Sequence, residues 1–166
     1  MKITNILLAS LSALFLATPV AAKMDSHTKE LLETVNNSGI TVAVNSADCK
    51  GQHGSYQFLG MKRTLILCPG ETIEATDHDT VRHEVFHAIQ HCVNVARGTP
   101  LNTPFNNDYD DLSKDIRKYL PAGLIQAIQE AYPKEMWWVE WEAYMVADNV
   151  SAAQLEQLFL KVCVAD

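Results

Sequence analysis

The chain has 166 residues, with 13 lysines and arginines against 20 acidic residues, a formal net charge of −7 and a hydrophobic fraction of 48%. That acidity argues against nucleic acid or an anionic membrane surface as partner. The apolar content is too high for a disordered chain, and the length suits one compact domain.

The first segment has the character of an export signal. Met1-Lys2 gives a short positive start, Ile6 to Ala17 is an uncharged apolar run, and Pro19-Val20-Ala21-Ala22 supplies the small residues a signal peptidase reads. The pattern predicts a secretory signal over 1–22, cleaved after Ala22. Its apolar run of about twelve residues is short of the roughly twenty that a membrane span needs, so no stable membrane insertion is expected. The expected mature protein is a single domain over 23–166, secreted or periplasmic, and one unit more negative once Lys2 is removed. Its four cysteines, Cys49, Cys68, Cys92 and Cys163, are even in number, which in an exported chain predicts two disulfides. Three connectivities exist. The expected one joins Cys49 to Cys68, a strand end to a later strand, and Cys92 to Cys163, the motif helix to the last helix. No Cys-x-x-Cys spacing supports a cysteine metal site.

Along the mature chain, Leu31, Leu32 and Val35 recur at helical spacing within Lys29 to Val35, and Asn36-Asn37-Ser38-Gly39 is stop chemistry. Ile40 to Val44 alternates with period two, a strand. Cys49 to Gly54 is a polar turn. Ser55 to Leu59 and Arg63 to Cys68 read as two more strands around Gly60-Met61-Lys62, with Pro69-Gly70 as a stop. The remainder reads as helical. A helix runs from Thr80, capped by Asp79 or Thr80, to Arg97 and closes at Gly98. Thr99 to Asp108 is a loop, Asp111 to Leu120 and Pro121 to Tyr132 are shorter helices, Lys134 to Asn149 is tryptophan-rich, and Ser151 to Val164 is last. Strands first and helices after predict an α+β fold with a small antiparallel sheet of about three strands.

The chemistry concentrates in His83-Glu84-Val85-Phe86-His87. Histidines four apart lie about 40° apart around a helix and one turn apart along it, so both imidazoles can reach one zinc ion. Glu84 sits beside the first, placed to take the proton of a zinc-activated water and pass it to a leaving amine. With 6 histidines in 166 residues the pattern arises by accident roughly once in a hundred such chains, before a helix is required. Val81, Val85, Ala88, Ile89, Cys92 and Val95 form the opposite, apolar face. The plain alternative is a helix carrying two surface histidines and an unrelated glutamate.

A catalytic zinc needs a third protein ligand and an open position. Downstream stands Glu140-Trp141-Glu142-Ala143-Tyr144-Met145-Val146-Ala147. Together with the histidine motif, Glu140-x-x-Ala143 resembles the gluzincin-type zinc metallopeptidases, including the small minigluzincins. The resemblance covers these two helices. It implies Glu140 as third ligand and Ala143 as the small residue that lets the helices approach. Tyr144 departs from the family's usual Asp, a residue that contacts a histidine ligand. Glu142 is the rival ligand. Two residues along a helix is about 200°, so it and Glu140 cannot both face one metal. Glu142 is then expected to be solvated or to support a ligand.

Gln90, one turn past His87, can orient a ligand or serve as an ordinary polar residue. His91 can stabilise an oxyanion or lie plainly on the surface, and Tyr144 can polarise a carbonyl or simply pack. Arg82 is expected at the surface. Trp137, Trp138 and Trp141 are expected to pack between helices, and His53 and His78 have no partner in sequence that would make them ligands. The expected activity is zinc-dependent hydrolysis of a peptide or protein substrate under a three-stranded roof, with the edge strand (Arg63 to Cys68 as one candidate) pairing with substrate, as the resemblance implies. A non-catalytic zinc-stabilised binding or inhibitory module is the alternative. A lid role for Thr99 to Asp108 is a third reading.

Overall fold

A computed structural model describes residues 24–49, 51–69 and 78–164. The expected signal over 1–22 lies outside the described residues. The fold is α+β, as expected, but its sheet is mixed. Helix α1 (Ser26–Asn37) starts at Asp25, whose carboxylate accepts from the Thr28 backbone N–H at 2.8 Å. It buries Leu31, Leu32 and Val35 and ends before Gly39, where φ is 86°. Strands β1 (Ile40–Val44), β2 (Gly54–Leu59) and β3 (Lys62–Leu67) follow in the spatial order β1-β3-β2.

The hairpin β2–β3 is antiparallel, closed by Gly60 and Met61 with Gly60 at φ 60°. β1 runs parallel to β3, pairing Ile40 with Arg63 through Val44 with Leu67. Parallel neighbours need a long crossover. Here the connection after β1 together with β2 serves as that crossover, and β3 inserts between its two predecessors. This corrects two expectations: the sheet is not wholly antiparallel, and Arg63 to Cys68 is its centre. The edges are β1 and β2. A disulfide joins Cys49 in the crossover to Cys68 just after β3, the expected pairing.

Helix α2 (His78–Arg97) begins two residues before the predicted start. Val81, Val85, Ala88 and Ile89 are buried as expected, but Val95 is 62% exposed. The turn from Val95 to Gly98 is exposed throughout, so the apolar stripe ends before the helix does. One core packs α1, β1, β3 and α2 against α6 (Ala152–Phe159) through Leu31, Leu65, Val85, Ile89 and Phe159. A turn of π-helix, Leu160–Val164, carries Cys163 to its disulfide with Cys92, again the expected pairing.

A second core joins α3 (Tyr109–Tyr119) and α4 (Ala122–Ala131) to α5 (Trp137–Asn149) through Leu112, Ile116, Leu120, Ile128 and Trp141. A short 3-10 turn, Lys134–Met136, precedes α5 where a continuous helix was predicted. The three tryptophans pack in this second core, with Trp138 edge-on to Trp141 at 5.3 Å. Helix α5 belongs to both cores, because Ala143 faces the first and Trp141 the second. Ala88, Ala143 and Ala147 are all buried, and such small side chains let α2 and α5 lie close. Among the described residues no helix is long and apolar enough to cross a membrane.

Candidate metal centre

Where α2 faces α5, His83, His87 and Glu140 converge into a group that could hold a metal ion. His83 and Glu140 are buried and His87 nearly so. The two Nε2 atoms are 3.0 Å apart, and Glu140 Oε2 lies 3.3 Å from that of His83 and 3.6 Å from that of His87. Ligands at about 2.0–2.1 Å from a tetrahedral zinc stand roughly 3.3–3.4 Å from one another, so the triangle has the right size. Glu140 Oε2 has no hydrogen-bond partner, an unusual state for a buried carboxylate oxygen.

The hydrogen-bond network orients His87. Gln90 Nε2 donates to Val139 O at 3.1 Å and to Glu142 Oε2 at 2.9 Å, so its Oε1, 2.8 Å from His87 Nδ1, must accept. His87 therefore carries its proton on Nδ1 and turns Nε2 to the triangle. Burial opposes charge on His87, but Glu140 outweighs it and raises its pKa. Burial alone would lift Glu140, yet the two histidines hold it well below the usual carboxylate range. His83 is pushed down, chiefly by burial. Two imidazole nitrogens and a carboxylate oxygen this close suit a cation between them.

His83 lacks the support His87 has. Its Nδ1 is buried without a partner. Tyr144, one turn after Glu140, meets the His83 ring at 4.4 Å between centroids, a packing contact. Tyr144 and Tyr132 line the same cavity, and burial raises the pKa of both phenols. No spacing in the sequence links Tyr132 to the motif; only the packing of α4 against α5 brings it here.

Glu84 stands beside the triangle and outside it. It is 6% exposed, and burial pushes its pKa up to about 7 against the opposing pull of His87. The edge strand β2 closes over it at Gly54, where a Cβ would stand 2.8 Å from Glu84 Cγ. With His83, Tyr132 and Tyr144, Glu84 lines a cavity of about 440 Å³ that also reaches His53 and Gly54. On the other side, His87, Glu140, Tyr56, Phe58, Val139 and His91 line a smaller cavity of about 120 Å³, which Leu101 and Met136 help to close. The triangle thus sits between two cavities that β2 borders.

Two expectations need correction, and for Glu142 one of two closes. Glu142 is not solvated: it is 2% exposed, accepts from the Phe105 and Asn106 backbone N–H groups at 2.6 and 2.8 Å, and meets His87 through Gln90. Arg82 is not a surface residue: its Nε donates at 2.7 Å to Ala147 O in the last turn of α5, and it pairs with Asp79. His91 is half-buried against Phe58 and Tyr56, with ring centroids 4.6 and 5.6 Å away. Loop 99–108 is tied down by Glu142 and by Asn94 Nδ2, which donates to Thr103 O at 2.7 Å. His78 pairs with Asp25 at 2.6 Å. Among the described residues no fourth side chain joins the metal group. No family model, curated protein or solved structure matches this chain.

Proposed function

We propose that the protein is an exported zinc-dependent peptidase of the gluzincin kind, with His83, His87 and Glu140 as ligands and Glu84 as general base. The observation that carries this reading is a buried carboxylate, Glu84, next to a three-donor group it does not join and open to a cavity. A purely structural metal site has no use for such a residue. A zinc ion at this position supplies Lewis acidity to a substrate carbonyl and makes a nearby water easier to deprotonate.

The chain's own groups do the rest. Glu84 takes the proton from the water and delivers it to the departing amine. Tyr144, beside Tyr132 on the same cavity wall, offers a hydroxyl to the oxygen on which charge develops. β2 is an edge strand beside the site, so an extended peptide can add to it and run past the metal group between the two cavities. The smaller cavity, walled by Leu101, Met136, Val139 and Phe58, favours an apolar side chain. Two disulfides suit an oxidising compartment, in line with export.

Glu84→Gln tests the reading. It should bind zinc one to one and lose cleavage of a fluorescence-quenched peptide library. Full cleavage by that variant would overturn the assignment of the base, and no cleavage by the zinc-loaded parent protein would overturn the peptidase reading itself.

A further inference from the structure

Glu142 and Gln90 form a buried relay that ends on a metal-group histidine. Glu142 is 2% exposed and Gln90 1%. The Glu142 carboxylate accepts three N–H groups: Phe105 N at 2.6 Å, Asn106 N at 2.8 Å and Gln90 Nε2 at 2.9 Å. Gln90 then accepts from His87 Nδ1 at 2.8 Å. The same amide also donates to the carbonyl of Val139, the residue before Glu140.

We infer that Gln90 and Glu142 are positioning residues for the metal centre: Glu142 fixes the Gln90 amide, and the amide fixes the His87 tautomer and ring plane. This rests on the reading of His83, His87 and Glu140 as metal ligands.

The chemistry of position 90 is restrictive. It must accept from an imidazole N–H on one side and donate to a carboxylate on the other. An amide does both. A carboxylate there would face Glu142 at hydrogen-bond distance, and an apolar side chain would leave the His87 N–H buried without an acceptor. The amide matters more because the other imidazole has no such support, its Nδ1 being unpartnered. Groups that orient a ligating histidine commonly change metal affinity when altered. The relay also ties the site to loop 99–108, which carries Leu101 in the wall of the smaller cavity.

The test measures zinc affinity of the full-length mature protein by competition with a chromophoric chelator, and the His87 Nδ1–H resonance of its zinc-loaded form by NMR. Gln90→Met, which keeps the volume, should weaken zinc binding about 10–100-fold and lose the slowly exchanging Nδ1–H signal. Gln90→Glu should weaken binding as well. A folded Gln90→Met with parental affinity and an unchanged His87 signal overturns the inference. If that variant does not fold, Gln90→Glu decides: weakened zinc binding supports the relay and parental affinity overturns it. A parental protein that binds no zinc overturns the metal reading, and this inference with it.

Discussion

Gly54 offers the sharpest steric test of how β2 positions Glu84. It opens the strand, and a Cβ added there would stand 2.8 Å from Glu84 Cγ, 3.0 Å from Glu84 Oε1 and 3.0 Å from Thr80 Cγ2. Its backbone is not in the positive-φ region that Gly39, Gly51, Gly60 and Gly98 occupy, so alanine is barred by neighbours and not by conformation. Thr80 and Glu84 are one turn apart on α2, so the added methyl must drive either the strand away from the helix or the Glu84 side chain from its place. Overpacking of this kind costs about 1–3 kcal/mol. The gain from a less flexible unfolded chain offsets about 0.4–1 kcal/mol of it. Gly54→Ala should therefore fold with modestly lower stability in urea. Because none of the three close contacts is a metal-group residue, it should keep one zinc per chain. Peptide turnover should fall on the order of a hundredfold, as expected for a catalytic group displaced by about 1 Å. Parental turnover in Gly54→Ala would refute the role given to β2. Lost turnover accompanied by lost zinc would show that the strand acts on the ligands instead.

Other substitutions probe other parts. Glu140→Ala removes the carboxylate of the metal group and should abolish stoichiometric zinc uptake in equilibrium dialysis; one ion retained per chain would place the third ligand elsewhere. The two disulfides span separations of 71 and 19 residues, so by chain entropy Cys92→Ala with Cys163→Ala should cost about 4 kcal/mol and Cys49→Ala with Cys68→Ala about 3 kcal/mol. Urea unfolding of the two double variants checks the order. Arg82→Met removes the charged donor to Ala147 O and should lower stability by about 1–3 kcal/mol while leaving zinc stoichiometry unchanged; an unaltered urea midpoint would mean the contact contributes nothing.

The local elements were legible because each rests on short-range pattern. β1 matches its predicted bounds, and α2 differs by two residues at one end. The parallel pairing of β1 with β3 was not legible. Alternation specifies which face of a strand is buried, and says nothing of which neighbour it will meet. Only the length of the crossover hinted that β1 need not pair with the strand that follows it. Within the site, His83, Glu84 and His87 come together by helix geometry alone. Tyr132, Asn94 and Tyr56 reach the site or its loop through tertiary packing, for which no spacing exists in one sequence.

Glu142 shows where single-helix reasoning stops. Helix geometry rightly separates Glu140 and Glu142 by about 200°, so that one side chain at most can face the metal group. Of the two places then open to Glu142, the solvated one assumes that a helix has one buried face. α5 has two, since Ala143 meets the sheet-side core and Trp141 the helical one. A carboxylate turned away from the metal group therefore enters protein instead of water, where it needs donors. Two come from the backbone of loop 99–108 and one from Gln90. The same burial that excludes Glu142 from the metal group thus ties it to His87 through one amide, and to the loop that helps wall the smaller cavity.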